Sequence, residues 1–270
     1  MTRSADARFG DLVAAEWLKL RSLRSTGWSL LIAGLAVLAL NAGTAYDTYR
    51  YWSENSAADG ARFVRDGIPL QEAFTVNSAL VLMLSAGAVG ALSLVAEFRT
   101  GLIRTTFAAV PARRQLMAAK VTVVAAVMTV FGAVVAGCSF WLTQAILSGR
   151  GVGVPIGHPG AWRLVIASGL LAPVSALAGM ALAALLRHGG TTLVVTFVLL
   201  LLLPIALSDD RYWTAVLDHT MPYEAWLRLA EGGAVDSRHP WTSTGAWLVL
   251  AVWPLAAATA AVLTVDRRDV

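Results

Sequence analysis

Apolar residues fall in six blocks along the chain: 28–45, 74–96, 118–146, 164–186, 191–207 and 245–265. Most are close to the roughly 20 residues a helix needs to cross a hydrocarbon core of ~30 Å. The fifth is the shortest, about 17 residues, near the lower limit for crossing. The expected fold class is therefore all-α: a polytopic membrane protein with six transmembrane helices in one domain over residues 1–270. Only Arg187, His188, Gly189 and Gly190 part the fourth and fifth blocks, which forces an antiparallel hairpin. The first block starts too late and runs too long for a signal-peptide core, and no Ala-x-Ala site closes it, so the N-terminus is expected to be retained.

Two stretches outside the blocks are amphipathic. In DLVAAEWLKLRSLRS, residues 11–25, Leu12, Val13, Trp17, Leu20 and Leu23 share a helical face, with Lys19 and Arg21 off it. This predicts an in-plane helix whose basic side chains reach lipid phosphates. In 102–110, Leu102, Ile103, Thr106, Phe107 and Val110 occupy an arc of roughly 140°, and Arg104 points away. Gly101 suits a left-handed helix cap before it. Pro111 suits the first turn of the next helix, which carries Arg113, Arg114 and Lys120 into the third span. A helix about 14 Å long is marginal by itself. Its apolar face needs a cover: the lipid headgroup region, the protein's own helix ends, or a groove on a partner.

Composition agrees with the membrane assignment. Hydrophobic residues make up 57% and charged residues 14%, against about 25% charged in soluble domains. The net charge is +4, and its distribution carries the information. The side holding both termini and the link between spans two and three has 13 basic residues and six acids, and the other side has eight and eleven. The positive-inside rule predicts both termini in the cytoplasm. Trp28, Trp162, Trp213, Trp241 and Trp247 lie near span ends, as interfacial anchors do. Pro173 and Pro254 fall inside spans and are expected to kink them. The pairs Ala133 with Gly137 and Gly179 with Ala183 permit close helix contact. Cys138, the single cysteine, is expected as a small packing residue.

Several chemistries lack their residues. The spans hold essentially no Asp, Glu, Lys or His, which argues against a proton-driven carrier. Asn41, Ser85, Ser93, Thr129, Ser139 and Ser175 are expected mostly as helix–helix hydrogen bonders. The four histidines are scattered, so no metal site is expected, and no G-x-S-x-G elbow occurs. No G-x-x-x-x-G-K-[ST] phosphate loop occurs either. GRGVGVPIG at 149–157 lacks a strand-then-helix frame and reads as a flexible loop. Uphill transport by this chain needs a partner that supplies the energy.

EWLKLRSLRSTGW (16–28), EFRTGLIRTT (97–106) and the closing VDRRD (265–269) resemble the permease subunits of type-2 ATP-binding-cassette exporters. The resemblance implies that 102–110 is a coupling helix that docks an ATPase, with Leu102, Ile103 and Phe107 as packing anchors. Thr106 and Val110 share their face, and Arg104 and Arg113 stand at the rim. Glu97 is expected to pair with an arginine of the same loop. The resemblance also implies that Trp17, Lys19, Leu20 and Arg21 belong to a connecting helix, and that 209–232 forms short outer helices, parted in the sequence by Met221-Pro222. The expected function is the membrane-spanning subunit of an exporter that moves a small or amphipathic solute out of the cell. It is not itself an enzyme. It needs no cofactor, because ATP and Mg would be bound by the partner subunit. Its expected partners are a cytoplasmic ATPase, a second permease copy or paralogue and membrane lipids, with no nucleic acid. The expected location is the plasma membrane. The competing reading is a non-transporting membrane scaffold or sensor that docks a cytoplasmic partner.

Overall fold

Long apolar blocks bounded by Gly, Pro and charged residues have one way to satisfy their backbone in hydrocarbon, which is to close every N–H and C=O within a helix. A computed structural model describes residues 8–52, 59–101, 112–207, 211–230 and 239–267. Of these described residues 86% are helical, and no strand occurs among them.

The chain opens with α1 (Phe9–Ser22), then α2 (Arg24–Arg50), the short α3 (Gly60–Arg65) and α4 (Ile68–Ala73), and the long α5 (Val76–Thr100) and α6 (Arg113–Ser148). α7 (Ala161–Leu186) is followed by α8 (Gly189–Phe197), a π-helical turn (Val198–Leu202) and α9 (Leu203–Ala206). α10 (Tyr212–His219), α11 (Pro222–Ala230) and α12 (Ser243–Arg267) complete it. Among the described residues, six helical stretches are long and apolar enough to cross a membrane: Arg24–Arg50, Ile68–Thr100, Arg113–Ser148, Ala161–Leu186, Gly189–Ala206 and Ser243–Val265. The number matches the apolar blocks. The ends differ because α2 and α6 run on through polar turns that hydropathy does not see.

α7 is the central helix, walled by α5, α6 and α12. Small residues let it be so. A Cβ on Gly90 of α5 would lie 1.9 Å from the Ala176 carbonyl oxygen of α7, and one on Gly179 would lie 2.1 Å from that of Gly87. One on Gly132 of α6 would lie 2.0 Å from that of Gly169. Lipid tails are as apolar as leucine, so helices associate in bilayers through such close van der Waals contact. Gly179 therefore makes the contact its spacing suggests. On α6 the contact falls to Gly132 and the Ala133 backbone, and Gly137 has open space above it. Cys138 is exposed on the surface of α6 rather than packed inside.

Pro173 and Pro254 lie inside continuous helices. The fifth span is short, runs through a π turn and Pro204, and is mostly uncovered. α11 is seated on α7 and α12. Its Trp226 is fully buried, donates through Nε1 to Ser168 Oγ at 2.9 Å, and meets Phe74 edge-on.

Candidate functional site

Charges in so apolar a chain are costly unless each finds a partner. Four of them meet at the end of the bundle where α1 lies. Leu12 and Glu16 of α1 are buried, which turns that face of the helix inward. The residue one turn on, Lys19, follows them. Glu97 stands on the last turn of α5, one turn before Thr100, and Lys120 stands two turns into α6. Both are buried.

The four side chains close a ring of alternating sign. Lys120 Nζ donates to Glu97 Oε1 at 2.7 Å and also to Glu16 Oε2. Lys19 Nζ pairs with Glu97 Oε1 and, at 3.5 Å, with Glu16 Oε1. Each carboxylate thus faces two ammonium groups, and each ammonium faces two carboxylates. The ring is neutral overall, so the desolvation of each charge is offset by two opposite neighbours. Lys19 is the most accessible member, its side chain 29% exposed against 7% for Lys120. Burial pulls the Lys19 ammonium down. The hydrogen bond and charge of Glu97, with the charge of Glu16, outweigh this and hold it above the usual lysine value.

The ring joins three pieces of chain. Gly101 takes the left-handed cap that ends α5 (φ 68°), and α6 begins at Arg113. Glu97 and Lys120 therefore clamp together the two helices on either side of the connecting segment, while Glu16 and Lys19 fix α1 against both.

Two expectations change here. Lys19 does not reach for lipid phosphate alone, because its ammonium is turned into the ring. Glu97, expected to pair with an arginine of its own loop, pairs with two lysines among the described residues. The inward face of α1 differs from the all-apolar face as well. Trp17 and Leu23 are about half exposed, Leu20 is partly buried, and Arg21 is exposed. Arg113 sits partly buried at the first residue of α6. Leu102, Ile103, Arg104, Thr106, Phe107 and Val110 lie outside the described residues. Glu16 and Lys120 carry half of the ring, and neither stood out as a site residue in the sequence. The available signals were an acid three residues before Lys19 on an apolar helix and a lysine just inside the third apolar block.

Residues 12–216 match the family described as ABC-2 family transporter protein, and the match covers well over half of the chain. The protein belongs to this ABC-2 transporter family. It is a membrane-spanning component of an ABC transporter. No curated protein matches it. All four ring residues fall within the family's span, as do the close contacts of α7 with α5 and α6.

A second polar cluster of this ABC-2 protein lies toward the other end of the bundle. Asn41 of α2 is fully buried. Its Oδ1 accepts from the Thr75 backbone N–H and the Thr75 hydroxyl, each at 2.9 Å, and from the Ser78 hydroxyl. Its Nδ2 donates to Ser139 Oγ at 2.6 Å, and that hydroxyl donates to the Ala73 carbonyl at 2.8 Å. Asn41 and Ser139 thus cross between helices, whereas Ser93 and Thr129 bond only the backbone of their own helices.

Proposed function

We propose that this chain is the permease subunit of an exporter driven by a separate cytoplasmic ATPase, and that the Glu16–Lys19–Glu97–Lys120 ring carries the motor's motion into the spans. The observation that carries this reading is the ring's place. It binds the helices on either side of 102–110 to α1, so a push on that segment moves the ends of α5 and α6 with α1 as one body. The tight α5–α7 and α6–α7 contacts then hand the displacement to the central helix. Packed helices have a small set of arrangements, so such a push selects between discrete states of the bundle.

On this reading Leu102, Ile103 and Phe107 of 102–110 seat in the ATPase, with Thr106 and Val110 on the same face and Arg104 and Arg113 at its edge. Trp17 and Arg21 present the exposed side of the connecting helix, and Leu20 turns partly inward. The excess of basic residues on the side with both termini supports a cytoplasmic placement of the ring, and the proposed location is the plasma membrane. ATP and Mg belong to the partner, since no phosphate loop occurs in this sequence. A second permease copy or paralogue completes the pathway. The apolar, small-residue bundle favours a small or amphipathic solute, and the proposed direction is outward.

The test is affinity purification of the full chain in mild detergent. The wild type is expected to bring an ATPase carrying a phosphate loop, and Phe107→Asp to insert normally but lose it. A Phe107→Asp chain that retains the ATPase at the wild-type ratio contradicts the docking site. A kinase or other regulator as the constant companion favours the scaffold instead.

A further inference from the structure

Between α1, α5 and α6 lies a cavity of about 240 Å³. Leu20, Leu23, Leu92, Ala96, Val123 and Val124 form its apolar walls, and the ionic ring forms its polar end. Leu92 is 47% exposed and Leu23 46%, so the mouth opens sideways between two spanning helices rather than into the bundle. We propose that one acyl chain of an anionic bilayer phospholipid occupies this cavity, with its phosphate held by Lys19.

Three observations support that occupant. The walls are apolar and the cavity lies in the terminal turns of two spans, at the depth where tails meet headgroups. An unfilled apolar cavity forfeits the dispersion contacts of its lining atoms, and its volume is below that of most drug-sized sites but suits a slender chain. Lys19 offers three N–H donors, of which Glu97 and Glu16 engage two. It is also the ring member with the most exposed side chain. The remaining donor suits a phosphate oxygen. A tail gains little by leaving one hydrocarbon setting for another. The ring is neutral, so the selectivity rests on the one hydrogen bond that Lys19 has left, worth about fivefold to a headgroup whose phosphate no choline balances.

This inference needs no ATPase and stands apart from the exporter reading. The test reconstitutes the full chain in phosphatidylcholine vesicles that carry a trace of phosphatidylglycerol with a photoactivatable diazirine in its acyl chain. Label is expected on Leu92, Ala96, Val123 and Val124 at about fivefold the level found on the exposed α2 residues Leu31, Ile32 and Leu35. A phosphatidylcholine probe is expected to lose that enrichment, and so is phosphatidylglycerol on Lys19→Gln. Ala96→Phe, at an exposed position of the mouth, is expected to drop cavity labelling to the α2 level while leaving the ring intact. Equal labelling of the two faces in the wild type overturns the proposal. So does unchanged labelling of Ala96→Phe, or a cross-link from the cavity to a second protein.

Discussion

The two ends of this bundle solve the same problem with different chemistry. At one end, four charges on three helices close into a ring. At the other, the neutral amide of Asn41 gathers a backbone N–H and three hydroxyls. Along α5 the two clusters stand roughly 33 Å apart at a rise of 1.5 Å per residue. Neutral hydrogen bonds fix geometry at modest cost when one is lost. Buried opposite charges fix it at a larger cost, because removing one strands its partners. The stiffer device stands where α1 and both neighbours of the connecting segment meet. That is where a force from outside the membrane must enter on the proposed mechanism.

Breaking the ring should give the largest effect. Lys120→Met leaves two buried carboxylates facing Lys19 alone, and a loss of about 3–5 kcal/mol is expected in unfolding measured in detergent micelles. Removing both partners of one edge sharpens the point. Glu16→Met with Lys120→Met leaves the Lys19–Glu97 pair intact and should recover most of that loss, because a neutral apolar pair replaces an ionic one. A double variant as unstable as Lys120→Met would show that the ring does not act through charge balance.

Asn41→Leu comes next. It leaves the Thr75 and Ser78 donors without their acceptor, and about 1–3 kcal/mol should be lost in the same assay. Unlike the ring variants, it should leave the association of α1 with the bundle unchanged, read by hydrogen exchange of residues 12–19. The smallest effect is that of pH. Lys19 is held above its usual value, so its stabilisation is fully present below 10.5, the unperturbed value. It is lost only as pH rises through the raised value. Wild type and Lys19→Gln should therefore differ by a constant amount around neutrality and converge in strong alkali. A difference that changes between pH 6 and 8 would contradict this assignment (both are roughly four and two units from the usual lysine value).

The six spans were legible because each crossing must satisfy its backbone internally, which demands one long apolar block per helix. The Gly101 cap was legible because the left-handed region favours glycine. The short turn between α7 and α8 was legible only in part. There Arg187, not a glycine, takes the left-handed conformation (φ 55°), and Gly189 already begins the next helix. The ring was hidden for a different reason. Glu16 and Lys120 are 104 residues apart, and no local pattern joins them. Hydropathy sends every charge near a span end toward water or phosphate, so it placed Lys19 and Lys120 at the interface. It cannot anticipate that two acids bring them inside.

The central claim is that the ring transmits motion, and one distance measurement tests it without knowledge of the solute. Cys138 is replaced by serine, and spin labels are placed at Tyr51 and Tyr212, both exposed on the described surface. In the complex with its co-purified ATPase, ATP with Mg is expected to shift the distance distribution of the wild-type chain. With Lys120→Met the ATPase should still bind and hydrolyse ATP while the distribution stays where it was. A nucleotide-driven shift of the same size in Lys120→Met would contradict the claim.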